Sequence, residues 1–325
     1  MARPRRVLLC GLGSIGRRHL RLLREADPAL ELAALRSGLG AGGPEEALLA
    51  ASFAGIGEAL AWQPEAAIVA SPAPFHCEQA CQLAAAGISL LIEKPLGTGR
   101  EPAEAWRPLR DAAARRQTIL VGYVLRHDPA VPVLKSWLAA GRIGTPVTVN
   151  ACCGSWLPDW RPGSDYRKGV SARFDLGGGV LLELSHELDL LQALLGPLSV
   201  EAAHLSCSGL LEIDVEDLAN LTLCSAAGVS VSLQLDFCTR PPTRSLRIRG
   251  SEGDILWDLM QGRLSLHDGA ETVSVERFPH QAQERYRRQL DHFLACCRGE
   301  AEPLVSLEDG LAVLELVRQA RSVSR

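Results

Sequence analysis

The sequence predicts two domains: an α/β domain with a parallel sheet over residues 1–122, and an α+β domain with a mainly antiparallel open sheet over residues 123–325. Three observations predict this. The first third alternates short apolar runs with helical patterns, the rhythm of βαβ units. From Tyr123 onward, strand-like stretches follow one another across turns without intervening helices, which indicates antiparallel pairing. A chain of 325 residues is also long for a single hydrophobic core.

The elements follow in order. Residues 7–10 read as an apolar strand, 15–24 as a helix and 30–35 as a second strand, followed by a glycine-rich loop and a helix around 58–62. Residues 66–70 form a strand, 76–86 a helix and 88–92 a strand, and 102–116 with 118–121 completes the sheet. In the second domain a helix at 130–140 precedes an alternating strand over 146–155 and a polar loop over 156–174. A helix over 180–195 comes next, then strands at 200–206, 218–225, 229–237, 245–249, 255–259 and 272–275. Amphipathic helices at 283–297 and 307–321 close the chain and are able to pack back on the first domain.

Composition narrows the function class. The chain is 47% apolar and 22% charged, ordinary for a soluble globular enzyme. Its net charge of -4 argues against a nucleic-acid partner, which would require a concentrated basic face. The basic start Met1-Ala2-Arg3-Pro4-Arg5-Arg6 precedes an apolar run too short for a signal peptide, and no stretch approaches a membrane span. The ten cysteines are isolated, adjacent in sequence as Cys152-Cys153 and Cys296-Cys297, or four apart as Cys77 and Cys81. None of these is a zinc or thioredoxin spacing, so reduced thiols, no metal site and a cytoplasmic location are expected.

Gly11-Leu12-Gly13-Ser14-Ile15-Gly16 follows the first strand and opens a helix, the setting in which a GxGxxG run binds a dinucleotide. Glycines allow the tight turn and the close approach of backbone to pyrophosphate, and the helix N-terminus attracts its charge. This is a Rossmann-type reading. The acidic residue expected about 20 residues further on is replaced by Arg36, followed by Ser37. An arginine there suits a 2′-phosphate and favours NADP(H), with NAD(H) as the alternative. Ser71-Pro72-Ala73-Pro74-Phe75-His76 ends another strand and starts a helix, which places Ser71, Pro72 and His76 at the cofactor edge of the sheet. Helix capping accounts for the same residues.

Glu93-Lys94-Pro95 stands directly after the strand 88–92, and Lys94 is one of three lysines in a chain that otherwise uses arginine. An ammonium at the carboxyl end of a buried strand lies where an open α/β sheet places its chemistry. In the second domain three glycines, Gly177, Gly178 and Gly179, precede the helix carrying Glu183, His186 and Asp189. On a continuous helix those three side chains fan over about 120°, with the imidazole in the middle, an arrangement suited to a general base. An exposed polar helix face is the plainer account.

Together these motifs, with Gly122-Tyr123 and Arg126, resemble the Gfo/Idh/MocA oxidoreductase family across nearly the whole chain. The stretch from Ser155-Trp156 to Arg167-Lys168 looks like members found with bacterial surface-polysaccharide genes. The resemblance implies that Lys94 and His186 flank the reacting hydroxyl and that Glu93 and Lys94 border the cofactor. It also implies substrate contacts from Tyr123, Arg126, Trp160, Arg161 and Tyr166, and a second-domain sheet that forms the substrate floor and often an oligomer interface. Trp160 and Arg161 could equally pack a dimer contact. Many members carry an aspartate four residues before the histidine, where this chain has Leu182, with Glu183 three before. The acid that orients His186 is therefore left open.

The expected activity is hydride transfer between a nicotinamide and a secondary hydroxyl or carbonyl of a sugar or nucleotide-linked sugar. A homodimer or homotetramer is expected. A cofactor-binding sensor without turnover and an NAD-dependent glycoside-cleaving enzyme are the alternatives.

Overall fold

The computed structural model describes residues 4–38, 42–269, 271–278 and 282–324. Residues 1–3 of the basic start and 39–41 of the glycine-rich loop lie outside the described residues. The chain divides into two compact units, Met1–Val124 with Gln283–Leu311, and Leu125–Ala282 with Ala312–Arg325.

In the first unit β1 (Arg6–Cys10), α1 (Ser14–Ala26), β2 (Glu31–Leu35), β3 (Ala51–Phe53), α2 (Ile56–Ala61) and β4 (Ala66–Val69) follow one another. Then come α3 (His76–Ala85), β5 (Ser89–Glu93), α4 (Arg107–Ala114) and β6 (Ile119–Gly122). The six strands are parallel in the order β3-β2-β1-β4-β5-β6. Strand β3 was not foreseen. Its three residues are only partly buried or exposed, too short an apolar signal to register. Both faces of the parallel sheet are covered, so β1, β4 and β5 read as unbroken apolar runs. Val7, Leu9, Leu32, Ile68, Leu91 and Leu120 form one cluster with Leu20 and Leu23 of α1 and with Leu290, Phe293 and Leu294 of α8 (Ala282–Arg298). The strand order reverses between β1 and β4, and a crevice at their carboxyl ends is where this topology accepts a ligand.

The second unit contains α5 (Ala130–Ala139), β7 (Pro146–Gly154), α6 (Val180–Glu183), α7 (His186–Leu195), β8 (Leu198–Ser206), β9 (Leu218–Ser225) and β10 (Ser230–Asp236). It continues with β11 (Thr243–Gly250), β12 (Gly253–Asp258), β13 (Arg263–Asp268) and β14 (Glu271–Arg277), and α9 (Leu307–Val323) ends the chain's helices. Its eight strands lie in the order β14-β13-β12-β11-β7-β10-β9-β8. All neighbours are antiparallel except β7 and β10, which run parallel because the β8-β9-β10 meander returns to the edge of β7. Strand β13 was missed in the sequence.

One expected helix is interrupted. Residues 180–195 form α6 and α7 with Leu184 and Ser185 between them. The Ser185 hydroxyl donates to the Leu182 carbonyl at 2.8 Å, a local bond that competes with the helical ladder. The 120° fan inferred from a continuous helix therefore does not apply: Glu183 ends one helix and His186 begins the next.

Candidate functional site

The fingerprint sits at the switch point. Gly11 bonds through its N–H to the Leu35 carbonyl at 2.9 Å, which brings the end of β2 beside the glycine turn. At φ +95°, Gly11 occupies backbone space that favours glycine, and a Cβ there would lie 2.9 Å from the main chain of Ala70 and Ser71. A Cβ on Gly16 would lie 2.1 Å from the Gly11 carbonyl oxygen, so the first turn of α1 and the loop require contact between bare backbones. Gly13 differs: no protein atom comes within 4 Å of its would-be Cβ. Two glycines thus serve the fold, and the third leaves open space at the N-terminus of α1, beside Ser14 and Ile15. That open cradle on a helix N-terminus fits a dinucleotide pyrophosphate.

Loops after β4 and β5 converge on the same edge. His76 is buried, with Nδ1 2.9 Å from the Pro95 carbonyl and Nε2 2.6 Å from the Ser71 carbonyl. Burial pushes its pKa down, against the opposing pull of those two carbonyls. Each ring nitrogen faces a main-chain carbonyl, so the residue ties the Ser71-Pro72 loop to the Lys94-Pro95 loop. Ser71 directs its hydroxyl to Gln79 at 2.8 Å.

Lys94 is half-buried immediately past β5. Its N–H bonds to Glu93 Oε2 at 3.2 Å, and Glu93 Oε1 lies 2.6 Å from His19 Nε2 on α1. The loop beyond is fixed by Glu101, whose carboxylate accepts from Thr98 N–H at 2.7 Å, Thr98 Oγ1 at 2.8 Å and Gly99 N–H at 2.9 Å. The main chain on either side of Lys94-Pro95 is thus tied by carboxylates, Glu93 before it and Glu101 after it. His19 was not recognised in the sequence; the only signal was a histidine between apolar positions on the buried face of α1. Tyr123, just after β6, is fully buried.

Arg36 does not stand alone at the end of β2. Its Nη1 lies 2.7 Å from Glu46 Oε2, on the 3-10 turn Pro44–Leu48. Ser37, the next residue, is exposed.

In the second unit Arg126 and Asp189 are both buried and face each other, Nε to Oδ2 3.5 Å. Glu183 accepts from the Ser171 hydroxyl at 2.8 Å. Glu187, next to His186, accepts from Arg244 Nε at 2.6 Å, which anchors α7 to β11. Trp160, Arg161 and Tyr166 come together with Asp165, Lys168 and Ser171 around a cavity of about 300 Å³. Trp160 is fixed by a 2.8 Å bond from Nε1 to Ser155 and by edge contact with Phe237, and the Tyr166 hydroxyl accepts from Glu212 N–H at 3.1 Å. Among the described residues, Arg167 and Arg173 in the same stretch are paired with Asp165 and Asp175. No group of three or more His, Cys, Asp or Glu among the described residues could hold a metal ion, and no described helix is long and apolar enough to cross a membrane.

Residues 5–123 match the family described as "Oxidoreductase family, NAD-binding Rossmann fold", and residues 132–256 match "GFO/IDH/MocA C-terminal domain". Inositol 2-dehydrogenase 2 of Saccharopolyspora erythraea is 30% identical over 310 residues, covering 87% of this chain and 82% of that protein. The chain belongs to the Gfo/Idh/MocA oxidoreductase family. 1,5-Anhydro-D-fructose reductase of Ensifer adhaerens is 27% identical over 256 residues, covering 76% of this chain and 73% of its own. The WlbA dehydrogenase of Bordetella pertussis, solved with NADH and UDP-GlcNAcA, shares the fold at a TM-score of 0.78 and 23% identity, over 98% of this chain and 96% of its own. The expected family and the two-sheet Gfo/Idh/MocA architecture are thereby established for this chain.

Proposed function

We propose that this protein oxidises or reduces a secondary hydroxyl or carbonyl of a sugar or nucleotide-linked sugar, with NAD(H) as its cofactor. The observation that carries this is the position of Lys94 directly past the carboxyl end of β5, in the sheet whose switch point bears the glycine cradle. The names of the relatives, a sugar reductase and an inositol dehydrogenase, support the substrate class.

When bound, the nicotinamide supplies the hydride donor or acceptor. The backbone of Gly11, Gly13 and the first turn of α1 would hold the pyrophosphate, and the loops at Ser71 and Glu93 would hold the rest of the dinucleotide at the same sheet edge. Lys94 donates a hydrogen bond to the substrate oxygen and stabilises the negative charge that develops on it. His186 takes or returns the hydroxyl proton. Arg126 and Asp189 act as a pair that positions rather than reacts. Trp160 and Tyr166 offer apolar faces to a sugar, and Arg161 and Lys168, on the same cavity, offer positive charge to an acidic group or diphosphate. Those cations favour a nucleotide-linked or acidic sugar over a neutral one.

The outward face of the second sheet, where Ser232 pairs with Thr222 and Gln234 with Asn220, is the surface we assign to a homodimer or homotetramer. Light scattering after size exclusion reads the assembly directly. For the activity, the purified protein is mixed with NAD+ or NADH and a panel of inositols, free sugars, uronic acids and nucleotide sugars, and absorbance at the reduced-nicotinamide band is followed. Turnover with one acidic or nucleotide-linked member supports the reading. Cofactor binding without turnover of any polyol or sugar defeats it.

A further inference from the structure

The family fingerprint calls for a carboxylate near the end of β2 to receive the adenosine ribose, and this chain has Arg36 in that place. A carboxylate is nonetheless present, delivered from elsewhere in the chain. The 3-10 turn Pro44–Leu48 presents Glu46, whose Oε2 lies 2.7 Å from Arg36 Nη1 and whose Oε1 accepts from Gly43 N–H at 3.1 Å. Both oxygens are thus oriented by the protein. The neighbouring Glu45 pairs with Arg21 of α1. The end of β2 is itself fixed against the glycine turn through the Gly11 to Leu35 bond at 2.9 Å, and Arg36 N–H bonds to the Phe53 carbonyl at 2.9 Å.

We infer that Glu46 is the residue that sets cofactor choice, supplying from the 3-10 turn the carboxylate that β2 lacks. The inference rests on the proposed use of a nicotinamide dinucleotide. With Glu46 in place, the guanidinium that would grip a 2′-phosphate is already neutralised by a carboxylate within hydrogen-bond distance. A 2′-phosphate would bring like charge against Glu46, whereas a ribose hydroxyl can donate to it. The arginine that on its own points to NADP(H) is therefore converted by its partner into part of an NAD(H) site.

The test is equilibrium titration of NADH and NADPH, read by nicotinamide fluorescence, on the full chain and its variants. The wild type is expected to prefer NADH. Glu46→Gln keeps the shape and removes the charge, and should move the NADPH-to-NADH affinity ratio toward NADPH by roughly tenfold to a hundredfold, the range of a charged hydrogen bond gained or lost. Adding Arg36→Ala to Glu46→Gln should cancel that gain. Glu45→Gln, with the same charge change one residue away, should leave the ratio in place. Thermal melts of each variant report whether the fold is kept, and Glu46→Ala provides a second removal of the carboxylate should the glutamine pack poorly. A wild type that prefers NADPH, or a ratio unmoved by both Glu46 variants, overturns the inference while leaving dinucleotide use intact. No binding of either dinucleotide by the wild type overturns the proposed cofactor itself.

Discussion

His19 and Glu93 meet in the interior of the first unit, imidazole Nε2 2.6 Å from carboxylate Oε1, with both side chains almost wholly removed from solvent. The contact links the helix that follows the glycine fingerprint to the strand end that presents Lys94, since the other Glu93 oxygen accepts the Lys94 N–H. Removing one partner leaves a buried polar group unsatisfied. His19→Leu is expected to destabilise the protein by about 1.5–3 kcal/mol. It should also weaken turnover more than it weakens dinucleotide binding, because Glu93 loses the restraint that sets the Lys94 turn. Urea melts and steady-state kinetics on the same preparation check both halves.

Lys94→Ala should lower kcat by roughly a hundredfold to a thousandfold, the loss typical of one preorganised donor to a developing oxyanion. Dinucleotide affinity should change little. An unaltered kcat would reject the assigned role.

His186→Gln should reduce kcat by about 10² to 10⁴, the usual share of a positioned acid or base, with NADH titration unaffected. Comparable losses in kcat and in NADH binding would instead mark a structural residue.

The glycines separate fold from ligand. Gly16→Ala places a methyl 2.1 Å from the Gly11 carbonyl and should cost about 1–3 kcal/mol or more in stability. Gly13→Ala meets no protein atom within 4 Å and should melt with the wild type, yet its dissociation constant for NADH should rise by about tenfold or more, as a methyl enters the phosphate cradle. Calorimetric melts with and without NADH distinguish the two.

His76 adds a pH dependence. Burial lowers its pKa in the folded protein, so between that depressed value and the ordinary histidine pKa of about 6.5 the unfolded chain binds more protons than the folded one. Its contribution to stability is therefore complete above about pH 6.5 and is lost as pH falls below it. Denaturant melts at pH 7.5 and 5.5 should show the loss, and His76→Gln should make the difference smaller.

The parallel class of the first sheet, the glycine turn, the Lys94 turn and the family were legible because they depend on local signals: apolar runs buried on both faces, and glycines where backbone meets backbone. Short elements were not. Strand β3 and the Pro44–Leu48 turn carry too few apolar residues to stand out, yet the turn delivers Glu46 to Arg36. The break at Leu184 and Ser185 was also hidden, since the apolar spacing continues through it.

By itself the sequence determined the α/β and α+β classes, the nucleotide edge and the candidate lysine and histidine, because burial periodicity and glycine geometry are written along the chain. Only the tertiary structure decided the pairings: Arg36 with Glu46, His19 with Glu93, Arg126 with Asp189, and His76 between two carbonyls. Each joins residues from different elements, and charge pairing depends on distance in space, which sequence spacing does not encode.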